Sequence, residues 1–237
     1  MTGGSGAGIV IRELVTADEL NTLPAFEQRI WQGANEVVSG NLLVAVVSEG
    51  GVALGAYDGD RIVGAAFGFP TRDPSILHSH YMAVDPAYRR RGLAVDLKQR
   101  QRAWCLEHGY TTMRWTFDPL QLANAHLNLR VLGAEGTSYH VDHYGALGGI
   151  NGGLPSDRLT VTWDLRSPRG GHAAAAQPGE RFVDVATLAA DAIERAAGEA
   201  IAARLALRDA LAPLLGEGWR VIDVDRAARR YRLAPPA

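Results

Sequence analysis

The chain has 237 residues, of which 47% are hydrophobic and 21% charged. These are the proportions of a globular protein with room for one main domain and an addition. The formal charge of −2 gives no basic field over the whole chain of the kind with which non-specific binders neutralise nucleic-acid phosphates, so we expect no nucleic-acid partner. Cys105 is the single cysteine, which excludes an intrachain disulfide and a cysteine-rich metal site.

The N-terminus gives no sign of export. Residues 1–8 are rich in glycine and lack the basic start and apolar run of a secretory signal, so we expect a flexible leader and a cytoplasmic protein. No run of about 18 apolar residues predicts a membrane-spanning helix. We therefore expect no membrane partner.

A strand and two helices are predicted first. Residues 9–14 begin with three β-branched residues, which predicts a strand. Thr16 is a suitable cap for the helical spacing that follows, with Gly33 as a plausible stop. Asn41 is a candidate cap for a second short helix over residues 42–47.

A hairpin comes next. Asp58-Gly59 lies between the apolar runs 52–57 and 61–69, and an Asp-Gly pair in this context predicts two antiparallel strands. Residues 79–84 predict a further strand, which Asp85-Pro86 ends.

A turn rich in arginine then opens a helix. Arg89-Arg90-Arg91-Gly92 precedes a helix predicted over residues 93–108. A helix N-terminus presents unpaired N–H groups and a partial positive charge, which favours phosphate. Gly92 has no Cβ and tolerates unusual backbone angles, so an anion can come close to the backbone there. The pattern therefore predicts a phosphate-binding turn.

Strand and helix alternate once more. A strand is predicted over residues 111–117, and a helix over 124–132 that Gly133 ends. Residues 139–144 and 159–165 are rich in β-formers and predict a closing hairpin with a long glycine-rich loop.

Turn residues and an alanine run over residues 166–180 predict a linker. Beyond it, residues 185–215 have helical spacing, and two short strands are predicted in 219–224 and 230–233. We therefore expect a main domain over residues 9–165 and a small α/β extension over 181–237.

The segment Arg89-x-x-Gly92-x-Ala94, directly after Val84-Asp85-Pro86-Ala87-Tyr88, resembles the pyrophosphate-binding motif of the GNAT acyltransferase superfamily. The order of the elements predicted over residues 9–165 resembles that superfamily too. The resemblance implies an α/β (α+β) fold with a mixed, mostly antiparallel central sheet flanked by helices. It also implies an acyl-CoA, either acetyl-CoA or succinyl-CoA, as co-substrate.

The resemblance further implies which residues bind CoA. The backbone of Met82 and Val84 would pair with the amides of the pantetheine arm, as a strand pairs with its neighbour. The turn would hold the pyrophosphate through its N–H groups, with arginine side chains available for the nucleotide phosphate. The predicted pyrophosphate-binding residues are Arg89, Arg90, Arg91, Gly92, Leu93 and Ala94. Asn124 and Asn128 lie one helical turn apart, so both are candidates to face the cofactor arm.

Acyl transfer to an amine needs a base for the amine. His80, on the strand before the motif, is the candidate, because an imidazole accepts a proton near neutral pH. His78, Asp142 and His143 are rivals, and a histidine with a purely structural hydrogen bond fits the sequence equally well.

The departing thiolate needs a proton. Where the superfamily often has a tyrosine acid, four residues before Gly133, this chain has Leu129. Tyr144 is the alternative candidate, although an aromatic side chain that anchors a strand to the core is the more ordinary interpretation. Asn124 is a candidate to bind the thioester oxygen, with helix capping as its alternative.

The wider pattern Trp115 to Ala134 and Asp157-Arg158-Leu159 resembles a less-studied GNAT subgroup with a C-terminal extension, some members of which acylate amino acids. Arg158 or Arg114 could pair with an acceptor carboxylate, with a surface or structural salt bridge as the alternative for both. Asp118, at a predicted strand end, could line the acceptor pocket or only terminate the strand.

The sequence thus predicts direct acyl transfer from CoA to an amine of a small molecule, possibly an amino acid. No histidine spacing suits a metal, so we expect none. A non-catalytic acyl-CoA-binding or regulatory module is the alternative, which Leu129 supports. A third hypothesis is that the alanine- and leucine-rich tail mediates a homodimer.

Overall fold

The computed structural model describes residues 8–31, 37–145, 154–167, 177–188 and 198–236. The chain divides into two compact units, Met1–Thr111 and Thr112–Ala237. Helices flank mostly antiparallel strands in a mixed α/β fold, which confirms the predicted fold class. None of the helices in the described ranges is long and apolar enough to cross a membrane.

The first unit contains one antiparallel sheet in the order β1-β2-β3-β4. Its strands are Val10–Glu13 (β1), Val52–Asp58 (β2), Arg61–Pro70 (β3) and Ile76–Val84 (β4). Its helices are Ala17–Leu20 (α1), Leu23–Trp31 (α2), Gly40–Ser48 (α3) and Leu93–Glu107 (α4), with a 3-10 turn at Pro86–Tyr88.

Local sequence signals place most of these elements correctly. Asp58 pairs with Arg61 across the predicted hairpin, and Gly59 has a φ of 58°, which suits glycine. The Thr16 side chain accepts from Glu19 N, and the Glu19 carboxylate bonds back to Thr16 N, as in a capping box.

The predicted cap of α3 is wrong. The helix begins at Gly40, and its cap is Ser39, whose hydroxyl accepts from Leu42 N at 3.4 Å. Asn41 is the second residue of the helix and therefore lies past the cap position, whose side chain accepts from an amide two or three residues later. The predicted stop at Gly33 lies outside the described residues.

Both faces of the first sheet are covered. One face packs against α1, α2 and α3 through a continuous apolar core, made of Leu14, Leu20, Leu23, Phe26, Leu43, Ala53, Ala65, Phe67 and Ala83. Full burial of a leucine or phenylalanine contributes about 1.5–3 kcal/mol, so this core holds the unit together. Helix α4 contacts β2, β3 and β4. There, a Cβ built on Gly64 would lie 3.0 Å from Leu97 Cδ1, so glycine lets α4 come close.

The second unit contains an antiparallel sheet in the order β5-β7-β6-β9-β10-β8. Its strands are Thr112–Phe117 (β5), Glu135–His140 (β6), Arg158–Asp164 (β7), Arg181–Asp184 (β8), Arg220–Asp225 (β9) and Arg230–Ala234 (β10). Its helices are Leu122–Ala125 (α5), followed directly by a π-helical segment at His126–Val131, and Gly198–Gly216 (α6).

The closing hairpin forms with a different first strand. Antiparallel β6 and β7 pair as predicted, but β6 ends at His140, whereas residues 139–144 were predicted. Asp142 has a φ of 47°, and Gly145 N donates to Asp142 O at 3.0 Å, so residues 141–145 form a turn. A left-handed backbone at Asp142 is incompatible with a continuing strand.

The helix predicted over residues 124–132 begins earlier and changes type. Leu132 N donates to Leu127 O at 2.9 Å, five residues back, which is π-helical geometry. The amino-acid composition does not distinguish a π-turn from an α-turn, so the sequence did not predict it.

The C-terminal extension contains β8, α6, β9 and β10. Residues 185–188 are not helical, whereas the helix was predicted to begin at 185. The predicted linker lies mostly outside the described residues. Strand β9 pairs with β6 at Gly136 and Val221, and α6 contacts β6. The described part of the extension is therefore built onto the sheet of its unit.

Candidate functional site

The turn after β4 is held by Asp85. Its Oδ1 accepts from Ala87 N at 3.0 Å, its Oδ2 accepts from Arg61 at 2.8 Å, and its own N–H donates to Val63 O at 2.9 Å. Burial opposes ionisation, but the hydrogen bonds from Ala87 and Arg61 outweigh it and lower the pKa of Asp85. The chain therefore leaves β4 in a fixed direction.

The arginine turn has an unusual backbone. Arg90 has a φ of 62° and Gly92 a φ of 88°, both in the left-handed region. Arg89 Nε donates to Val84 O at 3.2 Å, and the Arg91 guanidinium lies 5.4 Å from the centre of the Tyr88 ring. All three arginines are exposed, so their charge stands at the surface of the turn.

Within the described part of the chain, five successive backbone N–H groups at this turn have no acceptor; they belong to Arg90, Arg91, Gly92, Leu93 and Ala94. Gly92 is the N-cap of α4 and offers no side chain to satisfy them. A Cβ built on Gly92 would meet nothing closer than Asp96 Oδ2 at 4.0 Å, so the backbone is uncrowded at that residue. Donors at a helix start, beside three cations, suit a pyrophosphate.

The backbone of β4 presents a second set of polar groups. Because antiparallel residues alternate in direction and Asp85 N points to β3, the polar groups of Met82 and Val84 point away from β3. The bond from Arg89 to Val84 O agrees with that direction.

A buried polar network ties α4 to β4. Ser79 Oγ donates to Gln101 Oε1 at 2.9 Å and accepts from Lys98 Nζ at 2.7 Å. Burial lowers the pKa of Lys98 to about 7 and raises the pKa of the buried Cys105 thiol to about 12. Cys105 is therefore a neutral thiol and unsuited to nucleophilic attack.

His80 is the extra residue of a β-bulge, since Phe67 pairs with Tyr81 and Gly68 with Ser79. The rings around it are those of Phe67, Phe69, His78 and Tyr81, with centres 5.6–6.2 Å from that of His80. The residue keeps an exposed edge, but these rings desolvate the imidazole and lower its pKa. Its neutral form, which accepts a proton, therefore prevails at pH 7.

The comparisons with known proteins agree with this geometry. The profile of the Acetyltransferase (GNAT) family matches residues 17–134, about half of the chain. The chain is a member of the GNAT superfamily. This membership supports acyl-CoA-dependent N-acyltransferase activity in general terms.

Solved GNAT structures share the fold. The ribosomal-protein-S18-alanine N-acetyltransferase of Escherichia coli is 19% identical, with a TM-score of 0.53 over 70% of this chain and 99% of its own. A putative acetyltransferase from Salmonella typhimurium, solved with acetyl-CoA, is 16% identical, with a TM-score of 0.55 over 71% of this chain and 100% of its own. An N-acetyltransferase from Staphylococcus aureus Mu50 is 15% identical, with a TM-score of 0.56 over 68% and 100%. No curated protein sequence matches the chain significantly.

The first unit also contains a buried carboxylate. Glu27 is fully buried on α2, and its Oε2 accepts from Val38 N at 3.0 Å. Its Oε1 and the Tyr81 hydroxyl are near enough to interact electrostatically, although neither has a partner with good hydrogen-bond geometry in the described residues. Burial raises the pKa of Glu27, and burial together with Glu27 raises that of Tyr81.

The two predicted asparagines lie in different environments of the second unit. Asn124 is exposed within α5, whose N-cap is Gln121, so it does not cap the helix. Asn128 is 5% exposed and lies in the π-helical segment. Leu129, where GNAT enzymes often have a tyrosine, is fully buried in the core.

Tyr144 does not anchor a strand to the core. It lies in the turn 141–145 and is 46% exposed, with its hydroxyl 3.2 Å from Thr116 Oγ1. The Arg158 guanidinium lies 5.3 Å from its ring centre, and the His143 ring lies 4.5 Å away. Burial and the nearby charges of His140 and Arg158 lower the pKa of His143.

Asp118 forms a structural ion pair. Both its oxygens bind the buried Arg204 of α6, with NH2 to Oδ2 at 2.7 Å, and Oδ1 also accepts from Leu120 N at 2.9 Å. The acceptor-lining alternative for Asp118 is therefore not favoured. Glu27, Lys98 and Arg204 were not predicted from the sequence, where the available signal was a charge at an apolar position of each helix.

Proposed function

We propose that the protein transfers an acyl group directly from acyl-CoA to an amine of a small molecule, with amino acids as the first acceptors to test. The observation that carries the proposal is the run of five backbone amides without acceptors at the start of α4, beside three exposed arginines. Such a site favours a doubly charged pyrophosphate.

The proposed CoA contacts follow from this observation. The amides of residues 90–94 bind the pyrophosphate, and Arg89, Arg90 or Arg91 reaches the nucleotide phosphate. The outward polar groups of Met82 and Val84 bind the amides of the pantetheine arm. Asn128 remains a candidate for the same arm.

The proposed chemistry forms one bond and breaks one. The neutral amine nitrogen attacks the thioester carbon, His80 accepts the proton that the nitrogen loses, and the C–S bond then breaks. The CoA thiolate takes a proton, for which Tyr144 is the candidate donor, and Asn124 stays a candidate for the thioester oxygen. A covalent cysteine intermediate is not proposed, because the Cys105 thiol is buried and its pKa is raised to about 12.

An acceptor with a carboxylate fits the charges near Tyr144. Arg158 lies over its ring, and Arg114 is exposed on β5. A guanidinium binds a carboxylate with two parallel hydrogen bonds, which would orient an amino acid. The choice between acetyl and succinyl groups is open to direct comparison.

Calorimetric titration with acetyl-CoA, succinyl-CoA and free CoA tests the proposal, using Gly92→Glu and a matched control, Gly109→Glu. Gly109 has a φ of 84°, close to that of Gly92, and a Cβ there meets nothing within 4 Å. Both variants therefore carry similar backbone strain and the same charge at opposite ends of α4. We expect saturable CoA binding in the wild type and in Gly109→Glu, and its loss in Gly92→Glu. A folded wild type that binds no CoA species would overturn the proposal.

A non-catalytic CoA-binding module is the second candidate, favoured by the buried Leu129 at the usual position of the acid. Release of CoA thiol in the presence of a panel of amino acids separates the two. Binding without amine-dependent thiol release supports the module.

A further inference from the structure

The C-terminal helix α6 carries two arginines one turn apart, and each binds a carboxylate of the sheet in a two-pronged arrangement. Arg204 binds Asp118, just after β5, and Arg208 binds Asp157, just before β7. The spacing of four residues puts both guanidinium groups on the same face of the helix. The ion pair between Arg204 and Asp118 is buried and has a structural role.

Asp157 is the centre of a second network. The carboxylate is fully buried and accepts from Arg208 Nε at 2.9 Å and Arg208 NH2 at 2.8 Å. It also accepts from the Tyr139 hydroxyl at 2.8 Å and from Asp142 N at 3.0 Å. Burial opposes ionisation, but the bonds from Arg208 and Asp142 N outweigh it and lower the pKa of Asp157.

The network continues into the turn 141–145. Asp142 Oδ1 accepts from Ser156 N at 3.0 Å and from Ser156 Oγ at 3.2 Å. Ser156 in turn holds the next two residues: its Oγ accepts from Tyr144 N at 2.8 Å, and its carbonyl accepts from His143 N at 3.1 Å. The left-handed backbone of Asp142 needs such support, because a non-glycine residue with positive φ is strained.

We infer that Arg208 of α6, acting through Asp157, is a positioning residue that fixes the backbone of the turn 141–145 and thereby the place of the His143 and Tyr144 side chains. The extension is then a working part of the enzyme, because it sets two candidate proton-transfer groups without touching substrate. This inference rests on the proposed function only in assigning proton transfer to that turn. The positioning itself can be measured without an acceptor.

Arg208→Gln is the test variant, and Arg220→Gln is its matched control. Arg220 also joins the extension to β6, through Glu135 at 2.7 Å, but does not contact the turn. Arg208→Lys keeps the charge but cannot make the two parallel hydrogen bonds to Asp157, so it should restore the wild-type properties only in part. Circular dichroism first establishes that each variant is folded.

The first readout is the titration of His143, followed by NMR and assigned with His143→Gln. The ring now lies against His140 and Tyr144, with Arg158 nearby. Release of the turn in Arg208→Gln should raise the His143 pKa towards its ordinary value of 6.5, while Arg220→Gln keeps the wild-type titration. An unchanged titration in a folded Arg208→Gln, or the same shift in the control, would overturn the inference.

The second readout is acetyl transfer to the acceptor found in the amino-acid panel. We expect Arg208→Gln to lower kcat about tenfold or more with the affinity for acetyl-CoA unchanged, because small displacements of reacting groups are costly. Wild-type kcat in this variant would contradict the positioning role. If the wild type binds no acetyl-CoA but Arg208→Gln still shifts the His143 titration, the proposed function is refuted and the positioning stands.

Discussion

At the scale of single residues, the chain contains one lysine, and it is buried. Lys98 is 3% exposed, and its Nζ donates to the Ser79 hydroxyl. Burying an ammonium group costs free energy, and this desolvation lowers the pKa of Lys98 to about 7. The hydrogen bond from Lys98 to Ser79 joins α4 to β4.

The lysine makes stability depend on pH. Above pH 7 the folded chain loses the Lys98 proton while the unfolded chain keeps it up to about pH 10, so unfolding takes up protons and stability rises with pH in this window. Lys98→Met removes the buried amine and leaves the bond from Ser79 to Gln101. We expect the free energy of unfolding of the variant, relative to that of the wild type, to be about 2 kcal/mol higher at pH 6 than at pH 9. Urea unfolding at the two pH values measures this difference. An equal difference at both pH values would show that the amine is not desolvated.

At the scale of elements, signals within a few residues were predictable and contacts across long separations were not. Asp58-Gly59 identified the hairpin, and Gly92 identified the start of α4, because each acts through its own backbone. The bulge at His80 depends on how β3 and β4 align, which no local pattern encodes. Arg204 and Asp118 are 86 residues apart in sequence, so their pairing was invisible.

The site followed the same division. The arginine-rich turn is one continuous segment, and it lies directly before α4, as the sequence predicted. Its binding of pyrophosphate stays a prediction. The aromatic surroundings of His80 and the hydrogen bonds of Tyr144 come from several strands and loops. No local pattern in the sequence encodes these contacts.

The buried pair that docks α6 yields a prediction at this scale. Removing one partner leaves an uncompensated buried charge, so Asp118→Asn and Arg204→Met should each cost about 3–5 kcal/mol of unfolding free energy. The double variant removes both charges and should cost clearly less than the sum of the two. Urea unfolding of the four proteins measures the coupling, and additive costs would contradict a direct charge pair.

At the scale of the whole molecule, the extension is bound to the sheet by ion pairs and strand pairing. A chain that ends at Leu165 loses β9, the partner of β6, and leaves the Asp118 and Asp157 carboxylates without their arginines. We expect this truncated chain not to unfold cooperatively, as followed by circular dichroism and sizing. A monomeric truncated chain with a sharp unfolding transition would show that the extension is dispensable for folding.

The single cysteine and the single lysine have a shared consequence. Both Cys105 and Lys98 lie on the buried side of α4, and neither side chain is accessible in the folded unit. Reagents that alkylate thiols or acylate side-chain amines will therefore modify the chain only when this helix opens. The one cysteine and the one lysine both belong to the first unit, so their labelling rates report on how often α4 opens in that unit alone.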